Sequence, residues 1–138
     1  MTENDISYII RGAIFNVYNT LGPGLLESVY VAALMYEFRK SGIAAKTEVP
    51  LPVIYENEKL GLGFRIDILV HNLVIIEVKS IEQLAEVHHK QVLTYLKLSN
   101  KKLGILVNFN TADISKSIFR KVNNLENNVP QISQINAD

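Results

Sequence analysis

Two neighbouring stretches decide the fold: GFRIDILV at residues 63–70 and VIIEVK at residues 74–79. Both are dominated by apolar and β-branched residues, a composition that favours strands. The second stretch is apolar at three successive positions, 74–76, so both faces of that strand are expected to be covered. A tight turn near His71 joins the two stretches, and together they predict an antiparallel hairpin in the protein core.

The rest of the chain surrounds this hairpin with helices and further strands. Apolar residues recur at helical spacing in several segments, and Gly or Pro interrupts the pattern between them. We expect helices at residues 5–19, 25–40 and 86–99, an edge strand with prolines at 47–55, and a buried strand at 103–107. This order predicts a single α/β domain in which helices flank a mixed central β-sheet.

The C-terminal region is harder to assign. Residues 111–122 fit either a short helix or an edge strand, and the polar segment at residues 123–138 is expected to fray. We therefore predict a folded domain at residues 1–122 and a polar tail at 123–138.

The bulk composition describes an ordinary globular protein. The chain has 138 residues, 14 basic and 14 acidic side chains, and a net charge of +0, which counts against nonspecific binding to duplexes. It has no cysteine, which removes thiol nucleophiles and zinc–thiolate sites and agrees with a cytoplasmic location. We see neither a secretory signal nor an apolar run long enough to span a membrane.

Three ionisable residues interrupt the two core strands: Asp67 in the first, Glu77 and Lys79 in the second. Buried charges require a partner or a metal. One interpretation is a structural ion pair in which Lys79 neutralises an acid. The other is a site for Mg²⁺ or Mn²⁺, because Mg²⁺ is held by one or two carboxylates together with waters and substrate phosphate. Such a metal polarises a phosphate and activates water, and a nearby lysine stabilises negative charge or helps to deprotonate the water.

The metal interpretation makes a demand on the strand register. Glu77 and Lys79 are two residues apart and share a strand face. A two-residue turn would place Asp67 opposite Ile76 and send its side chain to the other face. A three-residue connection at 71–73 would pair Val70 with Val74 and bring Asp67 opposite Glu77, so we predict that connection or an equivalent bulge.

These residues also resemble a known group of proteins. The pattern of residues 63–67 followed by Glu77-Val78-Lys79 resembles the core signature of the PD-(D/E)XK nuclease superfamily, with Ile66 in place of the usual proline. Residues 24–30, GLLESVY, match the motif of the GxxExxY family within it, and Gln91 to Tyr95 resembles the Q-x-x-x-Y motif of recombination-type exonucleases. The resemblance implies a restriction-endonuclease-like fold.

The resemblance also implies roles for individual residues. The metal ligands would be Asp67, Glu77, the Val78 carbonyl and Glu27, and Lys79 would be the catalytic lysine. Gln91 and Tyr95, four residues apart on one helix face, would line the site.

Each of these residues has a structural alternative. Glu27 fits a first-turn acid stabilised by the helix dipole, and Tyr95 fits a core tyrosine with Gln91 as its partner. His88 and His89 point about 100° apart on a helix, so we do not expect them to chelate one metal; we expect His88 to flank the site and His89 to be exposed.

The function implied is a Mg²⁺- or Mn²⁺-dependent nuclease that cleaves phosphodiester bonds, with DNA as the expected substrate. The alternatives are a module that binds nucleic acid or protein without cleaving, and a subunit that requires a homodimer mate or another protein.

Overall fold

The computed structural model describes residues 1–126; residues 127–138 of the predicted tail lie outside that range. The described chain forms helices α1 (Glu3–Leu21), α2 (Glu27–Lys40) and α3 (Glu86–Ser99), and strands β1 (Ala45–Tyr55), β2 (Glu58–Val70), β3 (Val74–Lys79), β4 (Leu103–Asn108) and β5 (Ile118–Val122). A short 3₁₀ turn, Ile114–Lys116, precedes β5. The ambiguous segment 111–122 thus ends as an edge strand.

The five strands form one sheet in the order β1-β2-β3-β4-β5. The pairs β1–β2, β2–β3 and β4–β5 are antiparallel, and β3–β4 is parallel. A parallel neighbour requires a long crossover, and α3 supplies it. The prediction that the proline-containing strand lies at an edge is confirmed, because β1 is the first strand in the order.

Helices cover both faces of the sheet. The larger core cluster joins α1 and α2 to the even-numbered side chains of β3, Val74, Ile76 and Val78. The smaller cluster joins Tyr95 and Leu96 of α3 to Ile75. This arrangement explains why β3 is apolar at successive positions and confirms the predicted mixed sheet between helices.

Local signals set the helix boundaries. Thr2 and Asp5 form a reciprocal capping box at the start of α1, which satisfies backbone donors of its first turn. α1 ends at Leu21, and its C-cap Gly22 has a φ of 70°, a conformation that favours glycine. Within residues 1–126, no helix combines the length and the apolar character that crossing a membrane requires.

The β1–β2 hairpin extends well beyond the rest of the sheet. β2 pairs with β3 only from Ile68 to Val70, whereas its pairing with β1 continues to Glu58 near the hairpin tip. We call residues 49–66 the hairpin arm. Phe64 packs against Tyr95 with ring centroids 5.2 Å apart, so the base of the arm rests on α3.

Candidate functional site

The connection between β2 and β3 has three residues, as the metal interpretation requires. Val70 pairs with Val74, Leu69 with Ile75 and Ile68 with Ile76. The predicted register is therefore confirmed, and continuing it by one step brings Asp67 opposite Glu77. The alternative two-residue turn is excluded.

The backbone ladder between β2 and β3 stops one step before Asp67. Beyond Ile68, the Asp67 carboxylate takes over the role of a strand carbonyl: its Oδ2 accepts a hydrogen bond from the Val78 N–H at 2.8 Å. This bond fixes one carboxylate oxygen on β3, beside Glu77. Asp67 thus marks the point where β2 leaves β3.

The partner strand is irregular at the same level. β1 pairs Thr47 with Ile68 and Val49 with Ile66, so Glu48 lies opposite Asp67. Glu48 has a φ of 51°, in the left-handed region. Ile66 and Leu69 both belong to the core cluster under α3, although residues three apart on a regular strand face opposite sides. The alternation of side chains along β2 is therefore interrupted near Asp67, so that Ile66 and Leu69 lie on the same side of the sheet.

Glu77 is the most deeply buried acid of the site, with 5% of its side chain exposed. Its Oε1 is buried and has no hydrogen-bond partner among the described residues. Burial, and then the negative charge of Asp67, raise the pKa of Glu77 from 4.5 to about 8. Lys79 opposes this rise: its Nζ lies 3.9 Å from Glu77 Oε2.

Lys79 pairs with only one oxygen of Glu77 and leaves Oε1 without a partner. A structural ion pair therefore explains only part of the geometry. Two hard carboxylates that repel each other, one with an orphaned buried oxygen, fit a divalent cation. Within residues 1–126 no three His, Asp or Glu side chains form a complete ligand cluster. Waters and substrate oxygens would have to complete the shell, as is usual for Mg²⁺.

Glu27 lies at the first position of α2, and its side chain reaches the residue that follows β3. Glu27 Oε2 accepts a hydrogen bond from the Ser80 N–H at 3.1 Å. In addition, the Ser80 hydroxyl donates to the Leu25 carbonyl oxygen at 2.5 Å. Two bonds therefore tie the start of α2 to the end of β3, next to Lys79.

The loop before Glu27 is held by Tyr30. The Tyr30 hydroxyl donates to the Gly22 carbonyl oxygen at 2.6 Å and accepts from the Leu25 N–H at 3.1 Å. Gly24 in this loop has a φ of 89°. The segment 24–30 thus combines a glycine for the turn, an acid for the site and a tyrosine that fixes the loop between them.

Asn108 orders the opposite side of the β3 terminus. This buried residue accepts from the Ile81 N–H at 3.1 Å through Oδ1 and donates to the Ile81 carbonyl oxygen at 3.0 Å through Nδ2. The next residue, Phe109, donates its N–H to the Lys79 carbonyl oxygen at 2.9 Å. The segment after β3 is therefore held between α2 and the end of β4.

Helix α3 brings Tyr95 close to the two carboxylates. Burial, followed by the charges of Glu77 and Asp67, raises the pKa of Tyr95 to about 12. The phenol therefore keeps its proton at neutral pH and can only donate to an anionic group. Gln91 lies half-buried one turn earlier on the same helix.

The two histidines of α3 differ in their contacts. His88 Nδ1 accepts a hydrogen bond from the Ala85 N–H at 2.9 Å at the start of the helix. The expectation that His89 is exposed is wrong: its ring is half-buried and packs edge-on against Phe119, with centroids 4.8 Å apart. β5 supplies Phe119, and because its segment was ambiguous in the sequence, this contact was not foreseen.

A cavity of about 530 Å³ opens beside Asp67, between α2 and β1. Glu27, Glu48 and Asp67 lie among its walls, and Arg39 of α2 also lines it. Sequence reasoning missed Arg39, Glu48 and Ser80. Only Ser80 carried a signal, as a polar residue directly after the E-x-K pattern; the positions of Arg39 and Glu48 depend on how α2 packs over β1.

Comparison with protein families identifies the class. Residues 4–121 match the model of the PD-(D/E)XK nuclease superfamily. The chain therefore belongs to the PD-(D/E)XK nuclease superfamily, and its sheet with three flanking helices is consistent with the restriction-endonuclease-like fold. No curated protein matches the chain, and no solved structure matches it.

Proposed function

We propose that this protein is a nuclease that uses Mg²⁺ or Mn²⁺ to hydrolyse phosphodiester bonds of DNA, and that it is a GxxExxY-type member of its superfamily. One observation carries the proposal: the half-buried Asp67 and the buried Glu77 form a carboxylate pair, with an orphaned Glu77 oxygen and Lys79 beside it. In the metal-free protein Glu77 relieves this repulsion by keeping its proton, as its raised pKa indicates, and a divalent cation would take the place of that proton.

Asp67 and Glu77 would hold the cation, with Glu27 and the Val78 carbonyl as the further ligands that the family pattern implies. When bound, the cation would polarise the scissile phosphate and make water more acidic. Lys79 would hold its ammonium against the charge that develops on the phosphate, or orient the attacking water. Tyr95 would donate a hydrogen bond from its protonated hydroxyl, and Gln91 would add amide donors from the same helix face.

The alternative is a module that binds nucleic acid or protein without cleaving it, or a subunit that acts with a second copy or another protein. The net charge of +0 favours the protein-binding module and the partner-dependent subunit, because phosphate binding depends on basic residues. The retained acids oppose a module that binds nucleic acid without cleaving it, since they repel phosphate in the absence of a metal. The lack of cysteine supports the cytoplasm as the place of action.

The test combines metal titration with cleavage. Mg²⁺ and Mn²⁺ are titrated calorimetrically into the wild type and Asp67→Asn, a variant that keeps an oxygen for the Val78 N–H. Both proteins are then incubated with labelled single-stranded and duplex DNA. We expect metal-dependent cleavage that Asp67→Asn loses. Metal binding without cleavage would favour the partner-dependent alternative, and no metal binding even with DNA present would favour the binding module.

A further inference from the structure

The cavity beside the carboxylates has two chemically different ends. Glu27, Glu48, Asp67 and Arg39 all line it. Glu27 and Asp67 are bonded to Ser80 and Val78 at the end of β3, whereas Arg39 also lines a second cavity with Lys46. Glu27 and Arg39 are twelve residues apart on α2, which corresponds to about 18 Å along the helix axis. A ligand that spans the cavity therefore contacts the candidate metal ligands near the start of α2 and the Arg39 guanidinium near its end.

Arg39 is available to an anion. Within residues 1–126 no carboxylate forms an ion pair with it, and its guanidinium carbon lies 5.9 Å from the centre of the Tyr36 ring, a weak and exposed contact. Arg39 also lines a second cavity together with Lys46. This end of the groove is thus the basic end, and a guanidinium binds phosphate oxygens with well-directed donors.

The wall between the two ends is apolar. Val31, Ala32 and Met35 face the cavity from α2, and Val31 and Met35 also pack against the core. A duplex hides the faces of its bases in the stack and presents phosphates and sugars. A single strand exposes its bases, and apolar or polarisable side chains such as Met can cover them.

We propose that this groove binds one strand of a single-stranded nucleic acid, with a base or sugar against Val31, Ala32 and Met35 and a neighbouring phosphate on Arg39. The inference rests on the proposed function, which identifies the ligand as nucleic acid, and adds a preference for single strands over duplexes. The cavity volume of about 530 Å³ suits a piece of one strand, because sites for small ligands span about 300–1,000 Å³.

The first experiment measures binding apart from cleavage. Fluorescent oligothymidylate and a matched hairpin duplex are titrated with Asp67→Asn as the background protein, and with the same protein carrying Arg39→Gln or Lys40→Gln. Lys40 is the matched control, since it is the adjacent basic residue, is 58% exposed and pairs with Glu37. We expect Arg39→Gln to weaken single-strand binding about tenfold, to lower the slope of log affinity against log salt by about 0.7, and Lys40→Gln to change neither.

A second variant tests the apolar wall. Ala32 lies on the exposed part of α2, so Ala32→Trp fills the groove without entering the core. It should reduce single-strand binding at least as strongly as Arg39→Gln while the circular dichroism spectrum stays at that of the background protein. The same substitution in the protein that retains Asp67 should leave the calorimetric affinity for Mg²⁺ at the wild-type value.

The outcomes separate this inference from the proposed function. Duplex binding as tight as single-strand binding, or Arg39→Gln and Ala32→Trp both matching Lys40→Gln, would overturn the inference even if the wild type cleaves DNA. Single-strand binding that depends on Arg39, found together with a wild type that cleaves nothing, would support the inference and refute the proposal of a nuclease that acts alone. A protein that binds neither probe refutes the inference.

Discussion

Tyr30 stacks on Phe109 with ring centroids 4.2 Å apart and planes inclined by 5°. One ring belongs to α2, three residues after Glu27, and the other follows β4, where the Phe109 N–H is bonded to the Lys79 carbonyl oxygen. The stack thus joins the helix that carries one candidate ligand to the strand end that carries Lys79, the lysine proposed to act in catalysis. The packing of α2 against the end of β4 therefore helps to set the distance between Glu27 and Lys79.

Tyr30→Phe keeps the stack and removes only the hydroxyl. Because the Gly22 carbonyl and the Leu25 N–H lose their partner, we expect the free energy of unfolding to fall by about 1–3 kcal/mol. Mg²⁺ affinity should also fall, since the loop that positions Glu27 is loosened. Urea unfolding and calorimetry measure the two effects. Tyr8→Phe, at a residue that is 82% exposed, should match the wild type in both; equal unfolding curves for the two variants would contradict the assigned role.

The raised pKa of Glu77 predicts how the stability of the metal-free protein depends on pH. The pKa is about 8 in the folded protein against an ordinary value of 4.5, so folding favours the protonated form. The stabilisation is complete below about pH 4.5 and is lost as the pH rises through 8. With EDTA present, we expect urea unfolding to show a loss on the order of 3 kcal/mol between pH 5.5 and pH 9.

Glu77→Gln should remove that component of the pH dependence, because the amide cannot ionise. The exposed Glu82→Gln serves as control and should keep the wild-type slope. If Glu77→Gln retained the full slope, another group would be responsible. Saturating Mg²⁺ should act in the opposite direction, since a cation competes with the proton and binds more tightly as the pH rises.

Lys79→Met tests the proposed catalytic role of Lys79 separately from metal binding. We expect cleavage to fall by about 100-fold or more, while Mg²⁺ still binds. The pH at which half-maximal metal binding occurs should rise, because Lys79 lowers the pKa of Glu77. Lys90→Met, which removes an exposed i,i+4 pair with Glu86, should leave cleavage and metal binding unchanged. Full cleavage by Lys79→Met would exclude Lys79 from the reaction.

Gly63 and Gly61 form a matched pair on β2. A Cβ on Gly63 would lie 2.7 Å from the Leu51 carbonyl oxygen and 3.2 Å from Pro52 Cα, whereas a Cβ on Gly61 meets nothing within 4 Å. Backbone atoms cannot move aside as side chains do, so Gly63→Ala should destabilise the protein by about 1–3 kcal/mol. Gly61→Ala should have little effect in the same urea unfolding experiment; similar losses for both would show that the close approach to Leu51 is unimportant.

The sequence was most informative in the β2–β3 hairpin, where the same pattern of residues determines both the packing of the strands and the position of the candidate site. β3 was predicted at its observed bounds because apolar residues at successive positions indicate a strand that is covered on both faces. The requirement that Asp67 face Glu77 selected the three-residue turn. The helix α3 was likewise predicted at its observed bounds.

Contacts between distant segments were not predictable from the sequence. The bond from Ser80 to Glu27 spans 53 residues, and His89 is covered by Phe119 of a strand that local pattern could not distinguish from a helix. Arg39 looked like an ordinary basic residue in the last turn of a helix. Its place in the cavity follows from the packing of α2 over β1, which no local periodicity encodes.

The hairpin arm is expected to open locally while the rest of the sheet stays folded. Between Glu58 and Asp67, β2 pairs with β1 alone, and Leu62 in this segment is 82% exposed. A two-stranded ribbon is only marginally stable by itself, so the part of the arm beyond Phe64 can open without unfolding the sheet. In D₂O its amide protons should exchange as one early group, while those of β3 and β4, hydrogen-bonded on both sides and covered on both faces, report the global free energy of unfolding.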